Sequence, residues 1–210
     1  MISISGIKYQ KELEELPYFN KNQAGLLIDK RGKNLDKKLE QLVRKGYLMP
    51  LKKGYYTTSL FYEKSNRESF SEYIANRLRN PSYISLEYVL AKEGVIPEAV
   101  FAITSITVKT SRNYINSLGN FIYKNIKADL FCGYSQKNWE DKIIYIATLG
   151  KALFDFLYLK KMDGVGREVF SDLRINFGRL NNDDLAEFEK YAAVSSSPKM
   201  VRILRLLKSK

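Results

Sequence analysis

Two groups of residues have types and spacings suited to chemistry. The first is Asp129 with Glu140 and Lys142. Glu140-Asp141-Lys142 has the E-x-K form, and on a strand residues i and i+2 share a face. Two carboxylates there can hold Mg²⁺ through oxygen, with Lys142 beside an attacking water, as in a metal-dependent nuclease. Such triplets are common by chance, and Trp139–Lys142 also reads as a solvated turn before a strand. The second group is Asn34, Lys37, Lys38, Gln41 and Lys45. At i, i+3, i+4, i+7 and i+11 they form one stripe of a helix. Asn and Gln pair bidentately with adenine in the major groove, and Lys with guanine. That chemistry is recognition, without bond breaking.

Other chemistries are excluded by composition. The 210 residues contain no histidine, which removes Ser-His-Asp and Cys-His catalysis and every imidazole metal site. A single cysteine, Cys132, forbids an internal disulfide. No cofactor or metal is expected. Lys151 and Asp155 are four apart, on one face of a helix, and read as a structural ion pair. The 15 Tyr and 11 Phe could stack on single-stranded bases, but most stand at core-like positions.

The net charge is +12, which favours a polyanionic partner. It is uneven: Lys30 to Lys53 holds nine Lys or Arg against two acids, Asp36 and Glu40. Within this segment Asn34, Lys37, Lys38 and Gln41 are expected to reach base edges. Lys30, Arg31, Lys33, Arg44 and Lys45 are expected to grip phosphates, which positions without reading sequence. Lys52 and Lys53 fall on a wing tip that can reach a flanking phosphate or the minor groove. A solvated, lysine-rich face is the bland alternative; it does not account for the order of elements around it.

Those elements read as follows. Helices fit 7–16, stopped by Pro17, then 21–28, then 35–45 with Asn34 as cap and Gly46 as stop. In the third, Leu35, Leu39, Leu42 and Val43 make the inner stripe. Residues 47–51 and 55–58 flank Lys52-Lys53-Gly54 as a hairpin. Three helices and a two-stranded wing make a winged helix-turn-helix, whose third helix and wing face DNA. Residues 59–66 read as a connector. Helices follow at 68–79 and 86–93, the second capped by Ser85. Strand patterns cover 101–108, 114–117, 121–126, 130–133 and 143–146. Residues 149–159 form a helix apolar nearly all round, hence buried, and 183–194 and 198–208 close the chain as helices.

Further basic stretches run from Ala99 to Ala128 and beyond Glu189. They read as solvated surface or as extra polyanion contacts. No apolar run approaches the roughly 20 residues that span a bilayer, and residues 1–10 lack a signal peptide's apolar core. A cytoplasmic protein without a membrane partner is expected.

The order of short motifs resembles the AbiEi-type antitoxins, predicted transcriptional regulators of type IV toxin–antitoxin systems, over nearly the whole length. Arg44-Lys45-Gly46-Tyr47 and Lys53-Gly54-Tyr55-Tyr56 resemble the end of that family's winged helix. Pro81 to Leu90 followed by Gly94-Val95-Ile96-Pro97-Glu98 is similar to its middle segment. So are Thr104-Ser105-Ile106-Thr107, Phe131-Cys132-Gly133-Tyr134, and Ala147 to Leu157. One departure stands at Gly150, where the family usually has Glu before Lys-Ala-Leu. The resemblance implies a negative autoregulator of a two-gene operon. The partner gene would encode a nucleotidyltransferase-like toxin, opposed without a stable complex.

The expectation is therefore an α+β protein. Residues 1–60 form a winged helix-turn-helix DNA-binding domain, and residues 61–210 a mixed α/β antitoxin-type domain ending in helices. Its expected partner is double-stranded operator DNA, in inverted repeats, bound as a repressor and not as an enzyme. The alternatives are the nuclease of Asp129, Glu140 and Lys142, or a winged helix used for protein docking. Depletion of lysine in protein-docking cores argues against the latter.

Overall fold

The computed structural model describes residues 7–162 and 168–208. The chain is mixed α/β and divides into two compact units. The first comprises Met1–Ser71 with Tyr114–Gly119, the second Glu72–Asn113 with Asn120–Lys210.

The first unit begins with α1 (Gln10–Glu15), β1 (Phe19–Asn20), α2 (Lys21–Ile28) and α3 (Gly32–Arg44). Then come β2 (Leu48–Lys52), β3 (Tyr55–Thr58) and α4 (Ser59–Lys64). α1 is shorter than its apolar pattern suggested. Leu16 precedes Pro17 and is forced into extended backbone, ψ 126°. α2 starts on a capping box: the Asn20 side chain accepts from the Asn22 and Gln23 amides, and the Gln23 side chain accepts from the Asn20 amide. It stops where Asp29 turns left-handed, at φ 58°.

α3 is closed by a glycine. Gly46, at φ +71°, sends its amide to Val43, while the Tyr47 amide reaches the Leu42 carbonyl. This reciprocal pair ends a helix where only glycine turns without strain. The three strands form one antiparallel sheet in the order β1-β3-β2. β1 was missed by pattern because two residues show no alternation. A bulge at Leu51 shifts the β2–β3 register, and Gly54, at φ +74°, completes the turn. Leu13, Phe19, Ala24, Leu35, Leu39, Leu42 and Leu48 share one buried core. Residues 59–64, expected as connector, are helical because the Thr58 hydroxyl accepts from the Phe61 amide.

The second unit is built on a sheet. Its elements are α5 (Arg67–Leu78, whose start lies in the first unit), β4 (Tyr83–Ile84), α6 (Glu87–Lys92), β5 (Ala102–Thr107), β6 (Arg112–Asn116, whose residues from Tyr114 on belong to the first unit) and β7 (Gly119–Asn125, whose first residue does too). A 3₁₀ turn (Ala128–Leu130), β8 (Tyr134–Trp139), β9 (Lys142–Ala147), α7 (Leu149–Leu159) and α8 (Glu168–Asp172) follow. The chain closes with a 3₁₀ turn (Phe177–Arg179), α9 (Asn182–Ser195) and α10 (Pro198–Lys208). Strand order is β6-β7-β5-β4-β9-β8. β5–β7 and β4–β9 run parallel; β4–β5 and β8–β9 run antiparallel.

α7 is enclosed from Gly150 to Leu157, as its all-round apolarity implied, and packs against α6, α9 and α10. Two local readings are corrected. The segment 130–133 is not a strand: a 3₁₀ turn occupies its start, Gly133 turns at φ +72°, and the strand begins at Tyr134. Ser85 does not cap α6. That place is taken by Leu86 at φ 64°, while the Ser85 hydroxyl donates to Asp155, 2.8 Å away.

Candidate nucleic-acid interface

The outer side of α3 is set by its inner side. Leu35, Leu39 and Leu42 are buried in the first unit's core, so the residues between them turn outward. Asn34, Lys37, Lys38, Gln41 and Arg44 line one shallow concavity of about 450 Å³, together with Lys30 from the preceding turn and Glu40. Four cationic side chains, two amides and one carboxylate therefore share one surface. Lys38 and Gln41 are half-buried there; Asn34, Lys37, Glu40 and Arg44 are exposed.

Asn34 is not the cap of α3. The helix starts three residues earlier than its apolar stripe suggested, with Arg31 as cap and no side-chain capping bond. Gly32, at φ +53°, permits that early entry. Asn34 thus sits inside the first turn, and its amide is left for the outer surface.

Arg31, Lys33 and Lys45 are exposed at the two ends of α3, outside the concavity. Lys52 is the last residue of β2 and lies over the Tyr55 ring, 4.2 Å from its centre, which fixes its stem. Lys53 alone of the pair is in the turn, and it is exposed. The turn is held from below: the Lys21 amide donates to the Gly54 carbonyl at 2.9 Å, and Tyr55 stacks on Tyr18. Lys21 also pairs with Asp36 at 2.5 Å, tying α2 to α3. Tyr47 closes the other end of α3, donating to Glu14 of α1 at 2.6 Å. Burial, reinforced by that carboxylate, raises the Tyr47 hydroxyl far above its ordinary range.

Glu40, which is not part of the expected stripe, belongs to the same surface. The signal was present: it stands three residues after Lys37 and four before Arg44, a spacing that shares a helix face.

The E-x-K triplet is not arranged as a strand face. Glu140 and Asp141 form the turn between β8 and β9, with Glu140 at φ 52°. Lys142 pairs with Asp141 and, at 3.7 Å, with Glu140, and its amine lies over the Trp139 ring. Asp129 lies exposed in the 3₁₀ turn. Among the described residues no group of three His, Cys, Asp or Glu is placed to hold a metal ion.

Lys151 and Asp155 do pair, and both side chains are fully enclosed. Tyr83 and Ser85 also donate to the carboxylate, at 3.0 and 2.8 Å. The rings of Tyr83, Phe154 and Tyr191 surround the ammonium. Burial pushes the Asp155 carboxyl above its ordinary value, opposed by Lys151, Ser85 and Tyr83. The pair, with the Tyr83 and Ser85 hydroxyls on its carboxylate, is a structural anchor between α7 and β4.

Parts of the other basic stretches are similarly occupied. Lys199 donates to the Tyr158 and Lys160 carbonyls at the end of α7, Lys109 to the Asn80 carbonyl, and Lys208 pairs with Glu189. Among the described residues no helix is long and apolar enough to cross a membrane. No protein-family model matches this chain, and no curated protein matches it significantly.

Proposed function

We propose that the first unit is a winged helix-turn-helix that binds operator DNA through α3 and the β2–β3 turn. One observation carries the reading. The helix that buries Leu35, Leu39 and Leu42 presents Asn34, Lys37, Lys38, Gln41 and Arg44 on a single concave surface. Amides and cations in that mixture suit base edges and phosphates together. The helix–strand–helix–helix–strand–strand order, with Lys53 exposed at the hairpin turn, suits a recognition helix flanked by a wing.

The resemblance to AbiEi-type antitoxins extends the proposal. The protein is then a cytoplasmic autorepressor of its own operon and the antitoxin of a type IV system, facing a nucleotidyltransferase-like toxin.

The test is binding to DNA upstream of the gene, with competitor DNA, across a salt series. Wild type is compared with Lys37→Ala/Gln41→Ala. Footprinted, competitor-resistant binding that the double variant loses supports the reading. Weak binding to any DNA with steep salt dependence reduces it to phosphate attraction; absence of binding refutes it. Co-expression with the adjacent gene tests the antitoxin role through growth rescue.

A further inference from the structure

We propose that Glu40 is a specificity-determining residue that selects a cytosine in each half of the bound site. This rests on the DNA-binding reading of α3 and adds a base to it.

Seven residues line the α3 concavity, and Glu40 is the one carboxylate among them. The other acid of the segment, Asp36, is held by Lys21 of α2. Glu40 is exposed; its charge is felt by the Tyr56 hydroxyl, but no ion pair among the described residues engages it. It therefore projects a free negative charge into a surface otherwise made of Lys30, Lys37, Lys38, Arg44 and two amides. Against phosphate, that charge is unfavourable on every DNA sequence. It is recovered only where a hydrogen-bond donor faces it.

In the major groove the donors are the exocyclic amino groups of cytosine and adenine. Adenine sets its amino group beside the N7 acceptor, which suits an amide and repels a carboxylate. Guanine offers two acceptors, O6 and N7, and thymine an acceptor and a methyl. Cytosine alone offers a donor with no acceptor on the same base edge. Its paired guanine then lies within reach of a cation, and Arg44, one turn further along the same face, is placed to take O6 and N7. One G·C pair is thus read from both sides, while the negative charge lowers affinity for all other sequences.

The test is selection from randomised duplexes with the full chain, as wild type, Glu40→Gln and Glu40→Ala. Circular dichroism and melting temperature confirm that the exposed substitutions leave the fold intact. Wild type is expected to select a motif with one invariant cytosine per half-site. Glu40→Gln shifts that position from cytosine towards adenine, because an amide suits adenine. Glu40→Ala loses the preference, roughly 10-fold in discrimination at that position. Both variants bind competitor DNA more tightly than wild type and keep the rest of the motif. A motif that is the same in all three proteins overturns the role of Glu40 and leaves DNA reading by α3 standing. Failure of wild type to select any motif overturns the DNA-binding reading and this inference with it.

Discussion

Lys151 and Asp155 lie one helical turn apart on α7, and neither side chain exposes any surface to solvent. An isolated charge in such a place is costly, so each is tolerable only through the other and through Tyr83 and Ser85. Removing one partner leaves the other buried and uncompensated. Lys151→Ala or Asp155→Ala is expected to cost about 3–5 kcal/mol in urea unfolding. The double variant Lys151→Met/Asp155→Leu should cost less than the two single changes together. Additive costs would show that the two side chains act independently.

Gly150 stands where the resembling family usually has Glu, and the structure supplies a reason for glycine. A Cβ at this position would run into the Asp184 carbonyl at the start of α9. Backbone cannot move aside as a flexible side chain would. Gly150→Ala is expected to lower stability by about 1–3 kcal/mol, the usual cost of overpacking, and Gly150→Glu by more. Thermal unfolding checks this, and an unchanged melting temperature for Gly150→Ala would refute the close approach of α7 and α9.

Glu72 is enclosed beneath Lys92 and Lys137, each 2.7 Å away, and accepts from Tyr88 at 3.0 Å. Burial alone would raise its carboxyl, but the hydrogen bonds and charges of the two lysines hold it below the ordinary 4.5. A depressed carboxylate contributes stability above its unfolded value and loses it as pH falls through the folded one. Wild type should therefore lose stability as pH drops below about 4.5, and Glu72→Gln should show a flatter slope in that range. Denaturant unfolding between neutral pH and acid distinguishes the two profiles.

Asn20 positions α2 through its capping box, and the next amide, Lys21, supports the Gly54 carbonyl of the hairpin turn. Asn20→Ala is expected to cost ~1 kcal/mol. Asn20→Asp, which keeps the acceptor, should cost much less. Chemical denaturation measures both, and equal losses would rule out the capping role.

Arg44 lies on the α3 surface with its guanidinium exposed. If it neutralises one phosphate, Arg44→Ala should reduce the slope of log affinity against log salt by about 0.9; if it takes a guanine edge, the loss falls on discrimination at that base pair. An unchanged slope together with an unchanged base preference would place Arg44 outside the DNA footprint.

Much of this protein was legible as a line of letters where the cause is local. α2 runs over Lys21–Ile28, as its inward Ala24, Leu27 and Ile28 indicated, and α7 over Leu149–Leu159, the stretch apolar nearly all round. Gly46 ends α3 because a left-handed turn needs no partner beyond the neighbouring residues. The outward stripe of α3 was readable because helix geometry alone relates Asn34, Lys37 and Gln41. Even there the start of the helix slipped by three residues, since Gly32 provides no side-chain signal for the entry.

The tertiary structure decided what depends on distant partners. β1 and β4 are two residues each, too short for a pattern, and exist as strands because β3, β5 and β9 offer them hydrogen bonds. Ser85 has the chemistry of a helix cap, yet Asp155, seventy positions away, takes its hydroxyl. The Lys151–Asp155 spacing announced a pair, but not that Tyr83, Phe154 and Tyr191 would enclose it and make it an anchor. No spacing in the sequence tells that Asp184 lies against Gly150 and leaves no room for a side chain there. Spacing along a helix records neighbours within a turn or two; burial and close approach are set by what the rest of the chain brings there.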